Sequence, residues 1–150
     1  MKALTILQPW ASLIACGAKK IETRSWPTKY RGPIAIHAAK KNPCRLPLLG
    51  MEKFEKVAKE ALEKAGLTWC FLPTGCVIAI AELVDCRPAE SYVFGGTLRD
   101  ISENEIIFGD YTPGRYAWIL ENIRPIEPVP AKGQQRLWEW PVEKWRDDNG

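Results

Sequence analysis

The residues best suited to chemistry crowd into one short stretch, 17–24, whose sequence is GAKKIETR. Lys20, Glu22 and Arg24 alternate with less polar residues, and this period of two predicts a strand with one charged face. Lys19 has the opposite parity, so we place it in the preceding turn, from which its long side chain can swing over the charged face. The cations can bind a phosphate or polarise a carbonyl, and the carboxylate between them would hold them in place. The alternative is a solvated, salt-bridged strand face without chemistry.

A second candidate carboxyl interrupts the apolar run 76–86, which predicts a central strand buried on both faces. By strict alternation Glu82 shares a face with Ile78 and Ile80, and burial there favours the protonated form, which can exchange protons. The alternative is a buried ion pair with a cation of the 17–24 stretch. A lysine–glutamate couple can also activate a nucleophile or relay a proton.

Aromatic rings lie beside cations immediately after the charged stretch. Trp26 ends it, and Tyr30 and Arg31 follow in a loop that Gly32 and Pro33 indicate. A ring next to a cation is a common way to hold a stacked base beside its phosphate. The structural alternative has Tyr30 packed on a sheet edge and Arg31 paired with an acid.

The charge of the chain is unevenly distributed. The net charge is +3, but residues 1–50 contain nine Lys or Arg and a single acid, and therefore carry +8, while the remaining hundred residues carry −5. This polarity predicts a basic surface that faces an anion such as nucleic acid or a nucleotide phosphate.

Composition argues against several classes of protein. No run approaches the roughly 18 apolar residues of a membrane span, and no leader is visible, so we expect a cytoplasmic protein without membrane association. Five cysteines without a C-x-x-C pair, and a single histidine, His37, predict neither a metal site nor a cofactor. We expect the cysteines to be small buried hydrophobes and His37 to be a packing residue rather than a base.

The elements that must position these residues are several short strands and a few helices. This pattern predicts a single α+β domain that spans residues 1–150 and is built on a curled sheet; an open sheet is the alternative. We place its core at about 3–140 and an insertion at about 87–110. The predicted strands are 3–7, 20–26, 34–39, 76–86 and 115–121, and the predicted helices are 8–16, 51–65 and a short one that Ser102 and Glu105 open as a capping box.

The C-terminal part begins with a link containing Pro125, Pro128 and Pro130, which we expect to be extended. Tryptophans 138, 140 and 145 follow it beside Lys132 and Arg136. These rings either offer a stacking surface or pin the chain end to the core.

These residues together resemble a known family. The spacing Gly17-x-Lys19-x-x-Glu22-x-Arg24 resembles the G-x-K-x-x-E-x-R signature of the ASCH (activating signal cointegrator homology) family, and the flanks LQPWA at 7–11, YRGP at 30–33, GDY at 109–111 and GRYAW at 114–118 agree in order. The resemblance implies a small PUA-like β-barrel, a curled mixed sheet with two or three flanking helices. It also implies recognition of RNA or nucleotides.

The same resemblance raises the question of catalysis. Some small ASCH proteins are amidohydrolases that act on acylated cytidine, and others are reported to cut RNA. In the amidohydrolase branch a lysine at the position of Lys19, a threonine three residues later and a glutamate on the following central strand form the catalytic set. Glu82 matches that glutamate, but Glu22 stands where the branch has threonine, so the nucleophilic hydroxyl is missing.

Two functions therefore follow from the sequence. The first is a binding module for single-stranded RNA or a nucleotide or nucleoside, with a charged cleft. The second is a hydrolase of an acylated nucleoside or of RNA that uses Lys19, Glu22 and Glu82 for acid–base work. The candidate binding residues are Lys19, Glu22, Arg24, Trp26, Tyr30, Arg31 and Arg115.

Overall fold

Six strands join in one curled sheet in the computed structural model, which describes residues 1–45, 50–94 and 101–141. None of the helices within these ranges is long and apolar enough to cross a membrane. The strands are β1 (Lys2–Ile6), β2 (Ile21–Arg24), β3 (Gly32–Ala38), β4 (Cys76–Pro88), β5 (Tyr116–Pro130) and β6 (Leu137–Glu139), and the helices are α1 (Trp10–Ala15), α2 (Glu52–Lys64), α3 (Ser91–Phe94) and α4 (Glu103–Phe108).

The strand order is β2-β5-β4-β3-β1-β6. The β1/β3 pair is parallel and the other pairs are antiparallel, so the sheet is mixed. The long strands β4 and β5 are out of simple register at three places, and such bulges increase the local twist and bend. The result is a half-barrel flanked by helices, which confirms the α+β class and the curled mixed sheet.

Side chains bridge the seam between the two open edges of this half-barrel. The short edge strand β6 pairs only with Lys2–Leu4, so it leaves the end of β1 uncovered on that side. Arg24, at the end of the opposite edge strand β2, donates a hydrogen bond of 2.8 Å to the carbonyl of Thr5 there. The Arg136 guanidinium stacks over the Trp26 ring at 5.1 Å, which makes a second link across the seam.

The apolar core fills the space between the sheet and α1. Leu4, Ile36, Leu83 and Trp118 from the sheet pack there with Ile14 of α1.

Helix α2 packs on other helices. Its Phe54 and Leu62 form a second apolar cluster with Leu13 of α1 and Phe108 of α4. Residues 101–108 of the predicted insertion thus contribute to the interior, and α2 stacks on α1 and α4 because their apolar side chains face it.

The proline-rich segment is extended, as predicted, but it is part of the sheet and not a separate link, because residues through Pro130 continue β5 and pair with β4. Strand β2 pairs with β5 only over Tyr116–Ile119, so the proline half of β5 is an edge on its other side. A proline is tolerated on such an edge, since its missing N–H removes no hydrogen bond from the ladder.

Two of the five cysteines are not isolated hydrophobes. Cys44 and Cys70 form a disulfide, with their Cα atoms 5.3 Å apart, that joins the chain on either side of α2. Cys76 is buried, whereas Cys16 and Cys86 are half-buried free thiols.

His37 is a packing residue. It is buried, its Nε2 lies 2.7 Å from the carbonyl of Ala131, and its ring meets Trp138 edge-on at 5.5 Å. Burial lowers the pKa of the imidazole, against the effect of that hydrogen bond. Trp138 and Trp140 are buried and hold residues 137–140 against the sheet, while Trp145 lies outside the described residues.

We expect Gly133→Ala to destabilise the fold by about 1–3 kcal/mol, the usual cost of overpacking. A Cβ at Gly133 would lie 2.7 Å from Cε1 of His37 and 2.9 Å from Oγ1 of Thr5, and both side chains are held by the sheet. Urea unfolding measures the change. Lys132→Ala, at the exposed neighbouring position, is the control, and equal stability of the two variants would contradict this packing.

Candidate functional site

A cleft of about 380 Å³ opens at the seam, where the end of β1 faces the edge strand β2. It is lined by Thr5, Ile6 and Leu7 at the end of β1, Trp10 of α1, Glu22, Thr23 and Arg24 of β2, Met51 and Phe54 at the start of α2, and Ile107, Phe108, Gly109, Asp110 and Arg115 between α4 and β5. Of the residues predicted from the sequence, the cleft brings together Glu22, Arg24 and Arg115.

Arg24 and Glu22 form one charged pair in the cleft. Their Nη2 and Oε2 atoms are 3.1 Å apart, and the same Nη2 also donates to Thr5. The Nε atom of Arg24 is buried and makes no hydrogen bond. A buried guanidinium donor without a partner is costly, unless a ligand supplies the acceptor.

Arg115 and Asp110 form a second pair. Arg115 Nη2 donates to the carbonyl of Thr23 at 3.1 Å, and its Nε lies 3.4 Å from Asp110 Oδ2 but makes no hydrogen bond. The Thr112 hydroxyl, which donates to Asp110 at 2.7 Å, lowers the pKa of that carboxyl, and Arg115 adds to the effect. The cleft therefore holds two cations and two carboxylates, and the buried Nε of each arginine makes no hydrogen bond.

Lys19 lies beneath the cleft and does not line it. Its side chain is 0% exposed, its Nζ donates to the carbonyl of Ile21, and Glu22 Oε1 is 3.8 Å away. Burial lowers the pKa of the ammonium, although the negative charges of Glu22 and Glu105 oppose this. Lys19 does reach Glu22 of the charged strand from the preceding turn, as the sequence predicted, but its side chain is buried there and not solvated.

Glu105 is a second buried carboxyl of this region, beside Glu22, and the sequence did not identify it as such. Its carboxylate accepts hydrogen bonds from the backbone N–H groups of Lys20, at 2.7 Å, and Ile21, at 3.3 Å. Burial raises its pKa, against the effect of those donors and of Lys19. Half of the predicted capping box is present, since Ser102 Oγ accepts from the N–H of Glu105, but the glutamate side chain caps the turn before β2 instead.

Glu82 is exposed and lies outside the cleft, so its predicted place on a buried face is wrong. The strand still alternates between Ile80 and Glu82, which lie opposite Ala35 and Pro33 of β3, but this face of β4 is covered only near Ile80, and Pro33 and Glu82 are both exposed. Ile80 packs under Trp138 and Ile78 joins a different cluster. Glu82 itself lies opposite Glu121 on β5, and neither Lys19 nor Arg24 pairs with it among the described contacts.

The predicted ring and cation of the 28–33 loop also lie outside the cleft. The Tyr30 hydroxyl donates to the carbonyl of Pro33 at 2.6 Å, and Arg31 donates to the carbonyls of Thr28 and Tyr30 and lies 3.6 Å from Asp85. The Arg31–Asp85 pair agrees with the structural alternative stated above, and the other contacts fold the loop onto itself.

Trp26 also stands outside the cleft. Its ring meets Trp118 edge-on at 4.7 Å and carries Arg136 above it, and its carbonyl accepts from the Trp118 indole N–H.

The aromatic side chains that line the cleft are Trp10, Phe54 and Phe108. Trp10 stacks on Phe54 at 5.1 Å, and its indole N–H donates to the carbonyl of Phe108 at 3.0 Å. Trp10 and Phe54 fit the apolar periodicity of α1 and α2, so the sequence marked them as core. The GDY segment at 109–111, in contrast, signalled Asp110 as part of a family pattern but assigned it no role.

No group of three or more His, Cys, Asp or Glu side chains within the three described ranges is arranged to hold a metal ion. The polar side chains that line the cleft carry guanidinium, carboxylate and hydroxyl groups, and they lie beside aromatic rings.

Comparisons with known proteins agree with this geometry. The model of the ASCH domain family matches residues 4–130. Activating signal cointegrator 1 of Homo sapiens and that of Mus musculus are each 28% identical to the chain over 139 residues, which is 91% of this chain and 22% of theirs. The chain thus spans 22% of the length of these curated relatives.

Solved structures share the fold. The crystal structure of ASCH from Zymomonas mobilis aligns with a TM-score of 0.56 at 16% identity, covering 99% of this chain and 92% of that one. A point mutant of the same protein aligns with a TM-score of 0.55 at 17% identity, covering 99% and 95%. At such identities the likeness concerns the fold, and it confirms the predicted architecture.

We expect Lys19→Met to remove a rise in stability at alkaline pH. Because the folded-state pKa of Lys19 lies below its ordinary value of 10.5, the unfolded chain binds more protons between those two pKa values, and the free energy of unfolding must increase with pH in that window. Urea unfolding from neutral pH to about pH 10 measures the slope. The exposed neighbour gives the control, Lys20→Met, which should keep the rise, and an unchanged slope in Lys19→Met would contradict the buried ammonium.

Proposed function

Because the chain belongs to the ASCH domain family, whose PUA-like fold leads us to expect recognition of RNA or nucleotides, we propose that it binds single-stranded RNA or nucleotides in the seam cleft. The observation that carries the proposal is the pair of buried Nε donors, on Arg24 and Arg115, that make no hydrogen bond. Guanidinium groups with free donors suit a phosphate, which offers several acceptor oxygens at once.

The carboxylates of the cleft require hydrogen-bond donors on the ligand. Glu22 and Asp110 line the same cleft as the two arginines, and a carboxylate accepts hydrogen bonds from exocyclic amines or ribose hydroxyls. The apolar wall of Trp10 and Phe54 supports the flat face of a base. We therefore assign the phosphate to Arg24 and Arg115, and the polar edge of the nucleoside to Glu22 and Asp110.

Size supports a single nucleotide in the cleft. A volume of about 380 Å³ is near the lower end of small-molecule sites, which run from about 300 to 1,000 Å³. The charge-balanced lining also favours one phosphate over a densely charged duplex, since two carboxylates repel additional phosphates.

We expect Arg115→Gln to weaken binding of a mixed-sequence single-stranded RNA by about tenfold or more, the loss of one charge-assisted hydrogen-bonded contact. The slope of log affinity against log salt should also fall by about 0.7, because one fewer counterion is released. Fluorescence anisotropy at several salt concentrations measures both.

The matched control is Arg31→Gln, which removes the same charge outside the cleft. It should leave affinity within about twofold of wild type, as expected for a residue without a ligand contact. Binding that is independent of salt and equally affected by the two substitutions would rule out the cleft as the RNA site.

A hydrolase is the second candidate, and one observation favours it. Lys19 has a lowered pKa and stands 3.8 Å from Glu22, which lines the cleft, so the couple has the components of a proton relay. Against this, Lys19 Nζ has no exposed surface, and Glu82 cannot complete the set of the amidohydrolase branch from its exposed position. Binding without chemistry therefore remains the first proposal.

Chromatography of acylated cytidine, and separately of single-stranded RNA, after incubation with the protein tests catalysis. We expect both substrates to remain intact. Turnover that disappears in Lys19→Met but persists in Glu82→Gln would establish a hydrolase built on Lys19 and Glu22, and the product would identify the bond that is cleaved.

A further inference from the structure

The loop 132–136, between β5 and β6, borders the cleft. Gly133 approaches Thr5 so closely that a Cβ on the glycine would lie 2.9 Å from the threonine Oγ1, and Thr5 lines the cleft. At its other end, Arg136 places its guanidinium 5.1 Å from the ring centre of Trp26. Trp26 follows Arg24 by two residues, and Arg24 donates to the carbonyl of Thr5. The loop therefore lies beside the cleft, along its β1 side.

The loop is unlike the cleft in charge. Lys132, Gln134, Gln135 and Arg136 are exposed, and the loop contains no acid, so it carries two positive charges. In the cleft, by contrast, each arginine has a carboxylate within 3.4 Å. A polyanion that leaves the cleft next to Thr5 thus meets cations that no carboxylate of the loop offsets.

The planar guanidinium of Arg136 is suited to contact with the flat face of a base. Its backbone φ is 59°, a value uncommon outside glycine, and its guanidinium carbon lies over the indole of Trp26, 5.1 Å from the ring centre. An arginine plane held on an aromatic ring offers a flat, cationic platform, and unpaired RNA bases stack on such planes. The amides of Gln134 and Gln135 lie alongside in the sequence, with donors and acceptors for base edges.

We propose that the loop 132–136 is a second subsite, which holds the phosphate and base of the nucleotide next to the one in the cleft. Lys132 and Arg136 contact the phosphate, and the Arg136–Trp26 stack supports the base. The ligand is accordingly a strand of single-stranded RNA, and a free nucleotide fills only part of the site. This inference rests on the proposed binding function of the cleft.

The test compares two probes, cytidine monophosphate and a mixed-sequence single-stranded RNA of about eight nucleotides, a length within the usual span of single-strand sites. Titrations at several salt concentrations use Arg136→Gln and Lys132→Ala. The matched controls are Arg124→Gln on β5 and Lys64→Ala at the end of α2, which are also exposed. Arg136→Lys retains the charge without the planar group, and thermal unfolding of each variant verifies the fold.

We expect Arg136→Gln to weaken RNA binding by at least about fivefold, consistent with the loss of one stacked base. Both Arg136→Gln and Lys132→Ala should reduce the salt slope for RNA by about 0.7. The monophosphate should bind all of these variants as it binds wild type. Arg136→Lys should keep the salt slope and lose the stacking contribution.

Three results would overturn the subsite, and each is distinguishable. RNA affinity that is unchanged in both loop variants, while Arg115→Gln still weakens it, would remove the subsite and leave the cleft as the RNA site. Weaker binding of the monophosphate by Arg136→Gln would assign the loop to the first nucleotide instead. Failure of wild type to bind either probe would overturn the proposed function and this inference with it.

Discussion

The burial of the Lys19 ammonium governs the architecture of the site. A buried charge is tolerated only when its neighbours compensate for it, and here the compensation comes from the carbonyl of Ile21, from Glu22 and from the field of Glu105. Glu105 in turn accepts from the two backbone N–H groups at the start of β2. The turn before β2 is thereby fixed between α1 and α4, and this fixes which way Glu22 and Arg24 point.

The same compensation decides the electrostatics of the cleft. The sequence places +8 on its first fifty residues, which predicts a basic surface, yet the cleft itself pairs each arginine with a carboxylate. Asp110 comes from the acidic part of the chain and reaches the cleft only because α4 packs against α1 and α2. The net charge of a sequence segment describes its average surface. The cleft is lined by residues of both the basic and the acidic part of the chain, so its charge differs from either average. Affinity for a phosphate then depends on the donors left free by the ion pairs. The two cations of the loop 132–136, beside the cleft, come from the part of the chain that is acidic on average.

The sequence predicted much of the fold and part of the site. The periodicity of α2, the helix before Gly17 and the strands around β1, β3 and β4 follow from local spacing, and the signature with its flanks identified the ASCH domain. Of the predicted site residues, Glu22, Arg24 and Arg115 line the cleft; strand alternation and the family pattern pointed to the first two, and the family pattern to Arg115. Glu82 was misplaced because the face that it shares with Ile80 is covered only near Trp138, and Glu105 was overlooked because a local helix cap gives no sign of a distant turn.

What the sequence determined by itself is therefore local: which segments form strands and helices, where turns lie, and which charged residues stand close together in the chain. What only the tertiary structure decided is which of those residues share a cleft. Trp26, Tyr30 and Arg31 follow the signature directly, but they pack outside the cleft, while Trp10, Phe54 and Asp110 enter it from three separate segments. The physical reason is that side-chain direction depends on bulges, on the curl of the sheet and on the packing of α1, α2 and α4. Each of these is set by contacts between residues far apart in the chain.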